Sequence, residues 1–165
     1  MPARPPPRPS DLMRIHPRLD EAFESHQLAL LRGDLEDARR AFDDFEALLR
    51  AHMADEERWV LPLYAERMAA KGAPPGGGPE LFHKEHQKLL SSLEALRSAL
   101  GNLGPDDLRA RLSLLEQEYA FKQLLSHHDA REGSLLYPAL DALLSEAEAR
   151  ELFAHLTLPP EPEAR

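Results

Sequence analysis

Apolar residues recur at intervals of three and four along most of the chain, which is the period of an amphipathic helix. Leu35, Ala38, Phe42, Phe45, Leu48 and Leu49 follow it in one segment, and Leu108, Leu112, Leu115, Tyr119 and Leu124 in another. No segment alternates with the period of two expected of a half-buried strand. Breakers divide the helical text. Ser10 is placed to cap a helix from about Asp11 to Leu31, and Arg32-Gly33-Asp34 ends it, with Gly33 past the last turn and Asp34 as the next cap. The second helix runs to about Leu61, where Pro62 should end or kink it, with a short piece following to Ala70. Gly72-Ala73-Pro74-Pro75-Gly76-Gly77-Gly78 is the strongest break and falls near the middle. Pro79 suits the first position of a third helix reaching Leu100, and Gly101 and Gly104-Pro105 close it. A fourth continues to about Leu136, before Pro138, and a last one covers Ala139 to Leu156. The expectation is an all-α fold: an antiparallel up-down-up-down four-helix bundle with a short extra C-terminal helix.

Composition narrows the function. At 165 residues the chain is about one domain. Its net charge of −9 argues against a nucleic-acid partner, which needs a basic face, and against electrostatic attachment to a membrane. No stretch approaches the roughly 20 apolar residues of a membrane span, and the N-terminus lacks the apolar core of a secretory signal. A cytoplasmic protein is expected. Five of the 15 prolines fall within the first ten residues, so residues 1–10 are expected to form a disordered Pro-rich extension. Residues 11–157 should fold, and 158–165 should form a disordered tail. There is no cysteine, which excludes thiolate nucleophiles, disulfides and sulfur-ligated metal sites, yet there are 8 histidines.

Those histidines fall in a repeat. His52-Met53-Ala54-Asp55-Glu56 has Pro62 ten residues after its histidine, and His128-Asp129-Ala130-Arg131-Glu132 has Pro138 ten after its own. The first helix carries His16 and His26, and the third His83 and His86. Each half therefore reads as a helix with histidine followed by a helix with His-x-x-x-Glu. Residues four apart share a helix face about 6 Å apart along the axis, so both can reach one centre. Leu48 precedes His52, and Leu124 precedes His128, each by one helical step, which aims the pair inward. Burying such groups is costly unless a cation compensates them. Nitrogen and oxygen donors without sulfur suit iron, manganese or zinc.

Two His-x-x-x-Glu pairs, each one helix after a histidine, resemble the hemerythrin-like, HHE cation-binding domain over roughly residues 12–140. The resemblance makes 11–157 a metal-binding bundle. It implies a centre of two iron ions bridged by an oxo or hydroxo group, with Mn or Zn as alternatives. A first-helix histidine and His52 would serve one side, His86 and His128 the other, and Glu56 and Glu132 would bridge. O2, NO or peroxide would be the small ligand, for binding, sensing or a peroxide- or O2-reactive activity. The chain would act as a monomer or homodimer, with no nucleic acid and no membrane.

Several positions compete. Ser25-His26-Gln27 resembles Glu85-His86-Gln87, which favours His26. Height along the bundle favours His16: measured from Gly33 it misses the level of His52 by about 3 Å, whereas His26 misses by about 18 Å. The spacing carries more weight, and only one of the two is expected to ligate. Hemerythrins proper carry two histidines four apart on the third helix; here His83 and His86 are three apart and still share a face. His127 matches the five-residue spacing to an acid found in hemerythrin proper, while the repeat favours His128. Glu57 reads as a solvated charge, His155 as a surface residue and Tyr119 as core. Trp59 and Tyr137 read as lining the pocket mouth or as plain packing. The rival reading is a non-enzymatic helical interaction module whose histidines are structural or bind zinc.

Overall fold

Gly33 takes the left-handed conformation, φ 81°, and Asp34 accepts a hydrogen bond from the Asp37 amide; together they end α1 (Ile15–Arg32) and start α2 (Leu35–Asp55). The computed structural model describes residues 6–158, and the secondary structure among them is helical, with no strand. After α2 come α3 (Leu61–Lys71), α4 (Pro79–Gly101), α5 (Leu108–Arg131), α6 (Tyr137–Leu143) and α7 (Glu146–His155). Pro79 begins α4 as its spacing suggested, and Asp107 caps α5 through the Ala110 amide.

α1 packs along α2, and α4 along α5. His16 meets His52, Phe23 meets Phe45 and His26 meets Phe42, so position numbers fall along α2 as they rise along α1. Two apolar clusters fill the interior. One, including Phe23, Phe42, Phe45, Leu89, Leu93 and Phe121, joins α1, α2, α4 and α5. The other, including Val60, Tyr64, Phe82, Leu136 and Leu140, joins α3, the start of α4, α6 and α7.

The structure revises several expectations. Pro62 does not end the second helix: a π turn, Glu56–Val60, carries α2 into α3, and Glu132–Leu136 does the same between α5 and α6. In each, the amide just before the proline, Leu61 or Tyr137, bonds the glutamate carbonyl five residues back. The widened turn accommodates a residue that has no N–H and would crowd a regular ladder. The last helix is broken at Leu144, which is extended, and Ser145 with Glu148 forms a capping box that starts α7.

The apolar stripe of α5 also differs from expectation. Leu114, Glu118, Phe121, Leu125 and His128 face the core, whereas Leu108, Leu112 and Tyr119 are exposed, Tyr119 by 66%. On α2, Leu49 is buried and Leu48 is only half-buried. The leucine pairs allow either face, and the buried Glu118 hides the true one. Pro9 and Ser10, assigned to the extension, begin a 3-10 turn, Pro9–Arg14, and Ser10 bonds Asp141 through both its amide and its hydroxyl. Leu158, assigned to the tail, packs against the first cluster. Residues 1–5 of the extension and the tail from 159 on lie outside the described residues. No helix among the described residues is long and apolar enough to cross a membrane.

Candidate metal centre

Six side chains converge where the two apolar clusters meet: His16 from α1, His52 from the end of α2, Glu56 and Glu132 from the first residues of the two π turns, His86 from α4 and His128 from α5. All are buried. Their donor atoms form two groups, each within 4.8 Å: Glu56, His86, His128 and Glu132 in one, His16, His52 and Glu132 in the other. Glu132 spans both, its Oε1 2.9 Å from His128 Nε2 and its Oε2 3.2 Å from His16 Nε2. Glu56 Oε2 lies 3.3 Å from His86 Nε2 and 3.5 Å from His52 Nε2. The Nε2 atoms of His86 and His128 face each other at 3.2 Å.

The surrounding groups fix the rings. His86 Nδ1 meets Glu57 Oε1 at 2.6 Å, and His128 Nδ1 meets Glu85 Oε2 at 3.1 Å. An ionised carboxylate only accepts, so each Nδ1 donates, and in the neutral imidazole the lone pair is left on Nε2, facing inward. Tyr137, fully buried, donates its hydroxyl proton to Glu56 Oε1.

Nε2 of His16 and His52, Oε2 of Glu56 and both oxygens of Glu132 are buried without a hydrogen-bond partner. Each such atom ordinarily costs about 1–3 kcal/mol. Clustered donors with lone pairs and carboxylate charge pointing at one another fit a cation between them.

Without a cation, protons serve instead. Burial opposes charge on His86 and His128, but Glu132 and Glu56 outweigh it, raising them to about 9 and about 11. Burial also opposes charge on His16, but Glu132, Asp129 and Glu56 raise it. On His52 burial prevails and lowers it. Burial would raise Glu132, yet His128, His16 and His86 hold it well below the usual range. Asp129 is pushed up to about 6, chiefly by burial.

The candidates separate. His16 stands in the cluster, and His26 does not. His26 lies at the level of Phe42, its Nδ1 2.7 Å from the Ala38 carbonyl and its Nε2 2.7 Å from Glu118 Oε1, so neither nitrogen is left for a metal. His83 also stays outside, its Nδ1 2.5 Å from Glu57 Oε2 and its side chain 44% exposed. His127 is exposed beside the inward His128. His155 is exposed and stacks on Trp59 at 4.4 Å.

Sequence reasoning missed the partners. Glu57 is not a solvated charge but joins His83 to His86. Glu85, adjacent to His86 in sequence, serves His128 instead, and Arg131 holds it at 2.8 Å. Tyr137 lies inside rather than at a mouth.

A family model described as Hemerythrin HHE cation binding domain matches residues 77–157, which include His83, His86, His128 and Glu132. No curated protein and no solved structure matches the chain. His16, His52 and Glu56 precede the matched span and reach the same centre through the fold. Residues 77–157 are thus similar to the hemerythrin HHE cation-binding domain.

Proposed function

We propose that the cluster holds two metal ions, iron foremost, and that the centre takes O2, NO or peroxide as its small ligand. The long helices then form an up-down-up-down antiparallel bundle around it. The observation that carries this reading is the set of orphaned buried donors on His16, His52, Glu56 and Glu132, all aimed at one another. Among first-row metals, imidazole and carboxylate donors suit iron, and the absence of sulfur removes the thiolate sites. Bound iron would supply a redox couple and a Lewis-acidic centre for the small ligand.

The chain supplies the rest. Glu132 offers one oxygen to each group. Tyr137 keeps one Glu56 oxygen engaged and leaves the other facing His86 and His52. Val60, Phe82 and Leu136 of one cluster, and Met53, Leu89 and Leu125 of the other, are buried apolar residues within one helical turn of a donor along the chain. His86 and His128 must release protons as a metal enters.

The test is reconstitution of tag-free protein with ferrous iron under anaerobic conditions, followed by metal analysis and absorption before and after air or peroxide. One ion per donor group, two per chain, with a spectrum that changes on oxidant, is expected. Glu132→Ala should lose both ions. Iron-free protein after reconstitution, or uptake of zinc alone, overturns the proposal and returns the histidines to a structural or zinc-binding role in a helical interaction module.

A further inference from the structure

Each donor group pairs two histidines with Glu132, the His86–His128 group adds Glu56, and the two are supported differently. Beneath His86 and His128 lie carboxylates: Glu57 on one Nδ1, Glu85 on the other. Both carboxylates are themselves held. His83 takes the second oxygen of Glu57 at 2.5 Å, and Arg131 takes that of Glu85 at 2.8 Å while reaching the Gly76 carbonyl at 2.9 Å. Among the described residues, no carboxylate meets Nδ1 of His16 or His52.

The internal repeat shows where the difference arises. With His52 set on His128, Glu57 falls on Gly133; with His16 set on His86, Met13 falls on His83 and Ile15 on Glu85. The Met13 methyl lies 2.5 Å from where a Cβ on residue 133 would stand. Apolar packing of Met13 on Gly133 thus occupies the place that the Glu57–His83 pair takes in the other half. Exposure follows the same division. The His16 and His52 side chains keep 10% and 7% of their surface, and those of His86 and His128 keep 2% each.

Resting on the metal-centre reading, we infer that the centre is graded: the His86–His128 half holds its ion more tightly and fills first, and the His16–His52 half fills second and exchanges. A ring that donates Nδ1–H to a carboxylate is fixed in orientation and is a stronger donor at Nε2, and loss of such a partner typically weakens metal binding about 10–100-fold. Glu57 and Glu85 are accordingly positioning residues that act through His86 and His128. The half without them is also the half nearer to solvent, where an ion or a small ligand arrives.

Anaerobic titration of the full chain with cobalt(II), followed by calorimetry and by the cobalt d–d absorption, reads the two halves separately. Wild type should bind in two separated steps. Glu57→Gln combined with Glu85→Gln should weaken the first step about 10–100-fold, change its d–d bands and leave the second in place. His52→Ala should remove the second step and keep the first. Glu57→Gln alone, at a half-exposed position, repeats the test if the double variant does not fold. Two indistinguishable steps in wild type, an equal shift of both steps in the glutamine variants, or loss of the first step in His52→Ala overturns the grading alone. No cobalt uptake by wild type overturns the grading and the metal centre together.

Discussion

His16 and His26 sit on one helix, both buried, yet their surroundings give them different work. His26 has both nitrogens engaged, by the Ala38 carbonyl and Glu118, and Gln27 steadies the second Glu118 oxygen at 3.0 Å. It is a strut between α1, α2 and α5. His16 has an unpartnered Nε2 facing Glu132. His26→Leu would strand Glu118 as a buried charge, so it should lower unfolding stability by about 3–5 kcal/mol in denaturant titration while leaving metal stoichiometry unchanged. His16→Leu should lose one ion and cost the metal-free protein less, because His128 and His86 still face Glu132. Metal loss in His26→Leu with the fold intact would contradict this assignment. Ser25-His26-Gln27 resembles Glu85-His86-Gln87, but local similarity says nothing of height along a helix pair. The count back from Gly33 does, and it pointed to His16.

At the scale of elements, the two π turns set the site. Each begins at the acidic residue of its His-x-x-x-Glu pair, Glu56 or Glu132, and each precedes a proline. The prolines were legible as breaks; their accommodation within a continuing helix was not, because a proline alone does not state whether the chain turns away or widens a turn. Between His52 and Glu56, Asp55 points the other way and accepts the amides of Thr157 (2.8 Å) and Leu158 (2.9 Å). The segment after α7 is therefore tied to the same stretch of α2 that carries two of the donors. Asp55→Ala removes a charged acceptor of two part-buried amides and should cost about 1.5–3 kcal/mol. Hydrogen exchange is the check: the Thr157 and Leu158 amides should exchange faster, and unchanged protection there would show that the tie is not what holds the segment.

For the whole molecule, the cost of a polar centre inside an apolar interior is offset by protons or by metal. In the metal-free protein, the folded-state values of His86 and His128, about 9 and about 11, lie above the ordinary 6.5. The stability they contribute is therefore complete below about 6.5 and is lost as pH rises through about 9 and then about 11. Asp129, raised from 3.8 to about 6, subtracts stability as pH rises across that lower interval. The denaturation midpoint of metal-free protein should fall between pH 7 and pH 10, and that of loaded protein should fall less, because metal replaces the protons. A flat profile in the metal-free protein would contradict the assignment of those protons. Metal at 100 times its dissociation constant should add about 2.7 kcal/mol, seen as a melting temperature that drops on chelation.

The sequence by itself determined the helical class, the breaks at Gly33 and Gly72–Gly78, the start of α4 at Pro79 and the two-fold His-x-x-x-Glu pattern. These depend on local chemistry: apolar period, glycine and proline conformation, and residues one helical turn apart. Only the tertiary structure decided which face of α5 is buried, since Leu114 and Leu115, or Leu124 and Leu125, offer adjacent stripes and the deciding residue, Glu118, is polar. It alone paired Glu118 with His26, 92 positions away, and Glu57 with His86, 29 positions away. It alone set Tyr137 on Glu56, 81 positions away. Such contacts depend on how helices rotate against one another, and that rotation is settled by packing of the whole interior rather than by the residues within any one turn.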